Sequence, residues 1–272
     1  MKPIESRIDE EHLLSILRTK RFGYCCYALD TIDSTNTFAR ALAMQGAEEG
    51  TVVFAEYQTK GRGRWGRVWH THKGKSISIS LIVRPKIRIA HVHHLTLMVA
   101  TSISQVLERK LGLHPQLQWP NDVYLGEKKV AGVLTEAKSN RKKFLFAVIG
   151  LGLNVNQTAE DFSDTLQSKA TSLRLECGME IDRVSLMAEL LFQLEQDYDR
   201  LLSKGFDFVL HRWVRRNRVL GKDVTLQTRS GTWMGRVKGF HTNGGLVFLD
   251  DQGKEKIFTQ GEIIEVKYAS GY

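Results

Sequence analysis

At 272 residues the chain has room for one large domain, or a medium domain with a small appendage, and its 42% hydrophobic content supports a real core and excludes wholesale disorder. A formal net charge of +9 points to an anionic partner, and the spread of basic residues along the chain, rather than in one tail, weakens a nucleic-acid reading. Three cysteines, two of them adjacent, make no disulfide framework, and with no zinc spacing, signal peptide or membrane-length apolar run the reduced cytoplasm is the expected compartment.

Residues 8–17 place apolar side chains at helical spacing behind Asp9, Glu10 and Glu11, whose charges suit a helix N-terminus, and predict a short helix. Residues 22–28 read as a strand. In TIDSTNTFARALA, residues 31–43, Ser34 or Thr35 caps a helix carrying Phe38, Ala39, Leu42 and Ala43 on one face. Ser34, Thr35 and Asn36 are then either turn chemistry or polar groups that join free helix N–H donors around a polar ligand head.

A strand over residues 51–57 leads into QTKGRGRWGRVW, residues 58–69, which has neither helical nor strand period and predicts a loop. Its glycines allow close backbone approach to a ligand, and its guanidinium forks match phosphate or carboxylate oxygens. It lacks the Walker A ending and the Rossmann glycine spacing. A solvated basic turn would look the same, but a basic loop between two strands suits closure over a phosphate-bearing ligand.

Residues 76–81 alternate serine with isoleucine or leucine, the pattern of a half-buried strand. Residues 89–111 predict the longest helix, with Leu95, Val99, Ile103, Val106 and Leu107 as core and Gly112 as its stop. His91, His93 and His94 at its start read as surface or capping groups rather than metal ligands. In LQWPND, residues 117–122, Pro120 restricts Trp119 to extended geometry and Asn121-Asp122 forms a turn.

Residues 123–125, 130–137 and 144–153 predict an antiparallel meander with turns at 126–128 and 138–143. Gly132, and Gly150 and Gly152 of GLGLNVN, mark either bulges or backbone facing a ligand. Lys129, opening KVAGVLTE, is either a solvated surface lysine or a catalytic group. Residues 184–202 predict a strong helix, and Trp213 lies in a further helical piece. After Gly221, strands at 224–226, 232–239, 246–249 and 256–258, with turns at 243–245 and 251–253, predict a small SH3-like barrel. The boundary falls near Val219, dividing the chain into 1–218 and 219–272.

DSTN, QTKGRGRWGRVW, QWPNDVYL, KKVAGVL, GLGLNVN and ATSL, in that order, resemble the biotin–protein ligase family over nearly the whole chain. The resemblance implies an α+β fold, a mixed or antiparallel sheet flanked by helices as in class II aminoacyl-tRNA synthetases, followed by the SH3-like barrel. It implies that biotin reacts with ATP and Mg²⁺ to give biotinyl-5′-adenylate, and that biotin then passes to a lysine of a biotin carboxyl carrier domain, as in acetyl-CoA carboxylase. No DNA or membrane is expected as partner, and a homodimer is possible.

By the family match, Ser34, Thr35, Asn36 and Gln58 frame the biotin pocket, with backbone at Gly61 and Gly132 close to the ligand. Arg62 and Arg64 meet the biotin carboxylate or the adenylate phosphate, Lys129 is the catalytic lysine beside both, and Trp69 packs against the ligand. Asn121 and Asn154 lie by ATP, Asn154 near its phosphates and Mg²⁺, with no side-chain cluster for a metal. Asp122 orients the incoming carrier lysine and takes its proton.

Trp65 stands where the family often has arginine and Gln118 where many members have lysine. The resemblance is to the monofunctional class, in which no DNA-binding domain is expected before the ligase motifs. The rival readings are a lipoate or octanoate ligase of related fold, which usually lacks the GRGRWGR loop, and a nucleic-acid-binding module, which implies salt-sensitive oligonucleotide binding without ATP turnover. Lys129, Arg62 and Arg64 argue against a binder without catalysis.

Overall fold

The computed structural model describes residues 8–140 and 144–267. In chain order its elements are α1 (Glu10–Ile16), β1 (Cys26–Ile32), α2 (Thr35–Met44), β2 (Val52–Gln58), β3 (Ser76–Val83), α3 (Val92–Leu111), β4 (Gln116–Gln118), β5 (Asp122–Leu125), β6 (Lys128–Ser139) and β7 (Phe144–Asn154). There follow α4 (Asp164–Gln167), α5 (Leu173–Cys177), α6 (Arg183–Lys204), α7 (Asp207–Arg216), β8 (Asp223–Thr228), β9 (Gly231–Phe240), β10 (Leu246–Asp250), β11 (Glu255–Phe258) and β12 (Glu262–Lys267).

The first seven strands make one mixed sheet in the order β1-β2-β3-β7-β6-β5-β4, parallel only between β1 and β2. The last five make an antiparallel sheet, β11-β10-β9-β8-β12. This is the α+β architecture with a small C-terminal β unit that the motifs imply.

Strand alternation sorts the core into two layers. Val52, Phe54, Ile77, Ile79, Leu81, Ala147 and Ile149 join the cluster formed with α3 and α6. Val53, Ile82, Phe146 and Val148 pack instead with Ala39 and Ala43 of α2. Strand β3 is therefore buried along its whole length rather than on one face. Ile77, Ile79 and Leu81 face α3 and α6, while Ile82 packs on α2 and Ser80 reaches its N-terminus.

Several local expectations shift. The first strand runs over Cys26–Ile32 rather than 22–28, because Phe22 is a core residue in a turn. Asp122 opens β5 instead of completing a turn, so the bend is at 119–121. β12 is a strand that no pattern flagged, since its burial is irregular and its pairing to β8 carries a register shift. The expected turn at 138–143 includes residues 141–143, which lie outside the described residues. All three cysteines are free, and no helix among the described residues is long and apolar enough to cross a membrane.

His93 and His94 are neither surface nor capping groups. Both Nε2 atoms contact the carbonyl oxygen of Asn243, at 2.5 and 2.9 Å, and the His94 ring stacks on Phe206 with centroids 3.8 Å apart. Trp119 Nε1 donates to the next carbonyl, Gly244, at 3.2 Å. The β9–β10 turn is thus clamped to the start of α3 and to the segment that enters β5. At Gly244, φ is +81° and a Cβ would stand 2.7 Å from Leu97 Cδ1, so only glycine fits the clamp.

Burial lowers both histidine pKa values, that of His94 to about 4. A histidine resisting protonation only when folded contributes its full stability above its unfolded pKa of about 6.5 and loses it as pH falls toward the folded value. Replacing both histidines by glutamine should flatten the pH dependence of unfolding between about pH 6.5 and 4 by roughly 1–2 kcal/mol, discounted for partial solvent access. Urea titrations at several pH values check this, and parallel curves for the two proteins would show that the clamp does not titrate.

Candidate active site

The site is built on the α2-facing side of the central sheet. Cross-strand register lines up Ser78, Gly152, Gly132 and Asp122 in one row, and Ser80, Gly150 and Leu134 in the next. A Cβ at Gly150 would stand 2.2 Å from Asn36 Oδ1, and one at Gly152 would stand 2.4 Å from Trp69 Cε2. At Gly132 it would lie 3.3 Å from both Trp69 Cζ3 and Lys129 Nζ. These glycines are thus not bulges: they leave bare backbone on which Asn36 and Trp69 lie. The nearby bulge is at Val130, where two steps along β6 match one along β5. Trp69 Nε1 is buried with no hydrogen-bond partner.

Ser34 takes the N-cap position of α2 but makes no side-chain cap bond. Gln58 caps instead, its Oε1 accepting from Thr35 N at 2.8 Å and from Thr35 Oγ1 at 3.1 Å. Ser80 Oγ donates to Asn36 Oδ1 at 2.6 Å, and Asn36 Nδ2 donates to Glu136 Oε2 at 3.0 Å. Thr35 and Asn36 are thereby oriented by three strands. Ser34, Thr35, Asn36, Gln58, Arg62, Arg64, Trp69, Asn121, Lys129 and Gly132 all line one cavity of about 100 Å³.

The glycine–arginine loop folds as a hairpin. Gly63 N donates to Arg67 O at 2.7 Å, Trp69 N to Gly61 O at 2.9 Å, and Arg62 bridges to Val68. Its tip is a single 3₁₀ turn in which Trp65 holds φ +58°, a conformation that costs a side-chain-bearing residue about 1–2 kcal/mol. Gly61 departs from its expected place. A Cβ there would meet Trp69 O at 2.2 Å, so Gly61 serves the hairpin and lines neither cavity of the site.

Arg62 forms a bidentate pair with Glu136 at 3.0 and 3.1 Å. Arg64 donates to Asn121 Oδ1 at 3.1 Å and to the carbonyl of Gly261 at 2.8 Å. Arg67 pairs with Glu262 at 2.5 Å. Two of the three loop arginines are therefore tied to the second sheet.

Lys129 Nζ lies 2.7 Å from Asp122 Oδ1, which also accepts from Asn121 Nδ2 at 2.9 Å. Both charged groups line a second, open cleft of about 830 Å³, along with Trp69, His70, Gln118, Asn154, Lys169 and Arg218. Lys129, Trp69, Arg67 and Glu262 line both cavities, so the two meet there. Burial pushes the Glu262 carboxyl pKa up, against the pull of Arg67, and pushes the Arg64 guanidinium down. No group of three or more His, Cys, Asp or Glu among the described residues could hold a metal ion.

Glu262, Gly261 and Glu136 escaped sequence reasoning. They belong to no motif, and Glu262 sits in the unflagged strand β12. Gln118 is explained in part: its Nε2 donates to Ile263 O at 3.3 Å, fastening β4 to β12. Gly152→Ala should displace the Trp69 ring and cost about 1–3 kcal/mol in stability, as overpacking does. Urea unfolding would check it, and a loss that persists in a Trp69→Ala background would place its cause elsewhere.

A model of the biotin/lipoate A/B protein ligase family matches residues 28–154. The chain is 35% identical to the bifunctional ligase/repressor BirA of Bacillus spizizenii, over 93% of this chain and 78% of that protein. It is 27% identical to the biotin–[acetyl-CoA-carboxylase] ligase of Paracoccus denitrificans, over 83% of this chain and 94% of that one. The structure is similar to the biotin protein ligase of Aquifex aeolicus in complex with biotin and ATP, with a TM-score of 0.77 and 29% identity over 90% of this chain and 99% of the other. With its motifs, its two sheets and these similarities together, the chain belongs to the biotin/lipoate A/B protein ligase family, among the biotin–protein ligases.

Proposed function

We propose that the protein is an ATP-dependent ligase that activates biotin and transfers it to a lysine of a biotin carboxyl carrier domain. The observation that carries this is the meeting of a small glycine-floored cavity and a large open cleft at Lys129. In the first step a biotin carboxylate oxygen attacks the α-phosphorus of ATP, giving biotinyl-5′-adenylate and pyrophosphate. In the second, the carrier lysine attacks the biotinyl carbonyl, forming the amide and releasing AMP.

Two anions must approach in the first step, so fixed positive charge is what the site has to supply. Lys129 stands at the junction, and its partner Asp122 neutralises it until phosphate arrives. Arg62 is held by Glu136, and release from that pair would free its fork for the carboxylate or phosphate. Ser34, Thr35, Asn36 and Gln58 take the polar end of biotin, and Trp69 packs against it over Gly132 and Gly152.

Asn154 lines the open cleft, where the nucleotide binds. One hard amide oxygen there suits Mg²⁺, which takes most of its ligands from phosphates and water and would neutralise charge on the triphosphate. Asp122 orients the incoming amine and takes its proton as the C–N bond forms. Unpaired cysteines fit a cytoplasmic location, and the catalytic domain spans residues 1–218, with Gly261 and Glu262 of the C-terminal unit reaching its site.

ATP–pyrophosphate exchange with biotin, lipoate or octanoate offered separately tests the reaction. Exchange should require biotin, and exchange with another acid alone would reassign the substrate. Lys129→Ala should reduce exchange by about two to three orders of magnitude, the loss typical of one preorganised charge. Asp122→Asn should slow transfer to the carrier more than exchange, and equal transfer rates would remove Asp122 from that step. Arg64→Gly frees the loop from both Asn121 and Gly261. Adenylate should then escape roughly 10- to 100-fold faster, from the loss of charge-assisted hydrogen bonds, and label bystander proteins; retention as tight as in the parent would exclude this role.

A further inference from the structure

Asn154 closes strand β7, and its amide is gripped at both ends. Nδ2 donates to the carbonyl of Thr171 at 3.0 Å, while Oδ1 accepts from Gln157 Nε2 at 3.2 Å. A backbone carbonyl can only accept and an NH₂ group can only donate, so these two partners decide which end of a nearly symmetric amide points where. The other hydrogen on Gln157 Nε2 goes to Ser76 Oγ at 2.8 Å. Ser76 is the cross-strand partner of Asn154.

The support continues inward. Arg183 Nη1 donates to Ser76 O at 2.8 Å, and Arg183 Nη2 lies 2.9 Å from Glu56 Oε2. Glu56 Oε1 accepts from Ile8 N at 2.6 Å. Gln157, Ser76, Arg183 and Glu56 are 0, 1, 3 and 4% exposed. Gln157 Oε1 and Arg183 Nε are buried without hydrogen-bond partners.

This arrangement is a poor way to gain stability. Burying an amide oxygen with no donor is unfavourable, and buried ion pairs often do no better than apolar residues of similar size. A leucine at position 157 would avoid the first cost. What the amide provides, and leucine cannot, is a donor aimed at Asn154 Oδ1.

We infer that Gln157 is a positioning residue: anchored by Ser76, with Arg183 and Glu56 behind, it fixes the orientation of the Asn154 amide and thereby sets nucleotide affinity. The inference rests on Asn154 lying at the ATP phosphates. Gln157 lines neither cavity, so its effect passes through Asn154.

The test is pyrophosphate exchange by the full chain carrying Asn154→Ala, Gln157→Leu, or both. Gln157→Leu should raise KM for ATP about three- to tenfold, the range expected for one lost hydrogen bond, and leave KM for biotin within about twofold. In the Asn154→Ala background the same change should add nothing, because the two act as one unit. If Asn154→Ala leaves KM for ATP unchanged, the placement of Asn154 is wrong and the inference goes with it. If Asn154→Ala raises KM but Gln157→Leu does not, or adds its full effect in the double variant, the inference alone is overturned. Should Gln157→Leu fail to fold, Ser76→Ala removes the anchor instead. It should raise KM for ATP about twofold to threefold, and an unchanged value would equally overturn the inference.

Discussion

The register of four neighbouring strands is the constraint on which the rest of the site depends. Because Ser78, Gly152, Gly132 and Asp122 align on one face, the middle of the sheet has almost no side-chain relief there. That flatness lets Trp69 lie on backbone, lets Asn36 reach in from α2, and brings Lys129 within 2.7 Å of Asp122. A one-residue slip would turn each glycine to the far face and aim Ile149 or Leu151 at the pocket, so the hydrophobic layer against α3 and α6 also enforces the geometry of the site.

Over this floor the loop is held in place by charged side chains. Arg62 is tied to the central sheet through Glu136, whereas Arg64 and Arg67 are tied to Gly261 and Glu262. The C-terminal sheet therefore takes part in the site directly. Its own seat depends on groups far from the chemistry, namely the carbonyls of Asn243 and Gly244 held by His93, His94 and Trp119. Trp119 precedes Asn121 and Asp122 by only two and three residues, so the clamp and these two cavity-lining groups share one short stretch of chain.

The charges in the site are mostly paired, yet the pairing is uneven. Lys129 with Asp122 and Arg62 with Glu136 are local and partly open to solvent, with side-chain exposures of 28 and 45% for the two cations. Such pairs exchange partners at modest cost when a phosphate offers a stronger field. The Arg183–Glu56 pair is sealed, at 2 and 4% side-chain exposure, and behaves as scaffold. Solvent-accessible charge lines the cavities and sealed charge stands behind them.

Much of this was legible from residues alone. Motif order pointed to the family, periodicity located α3, α6 and the β5–β7 meander, and ten of the expected binding residues line the small cavity. Local patterns suffice there because hydrophobic period and turn chemistry are properties of short stretches. What they could not supply was partnership. Gly61 and Gly132 look alike in sequence, but one packs against its own hairpin and the other underlies Trp69. His93 and His94 read as surface groups because Asn243 is about 150 residues away. Glu262 and Gln157 belong to no motif, and each gains meaning only from atoms brought near by folding. Sequence decided which elements form and which chemistry the chain carries; tertiary structure alone decided which groups face each other, because contact across strands and between sheets depends on register and packing rather than on neighbours in the chain.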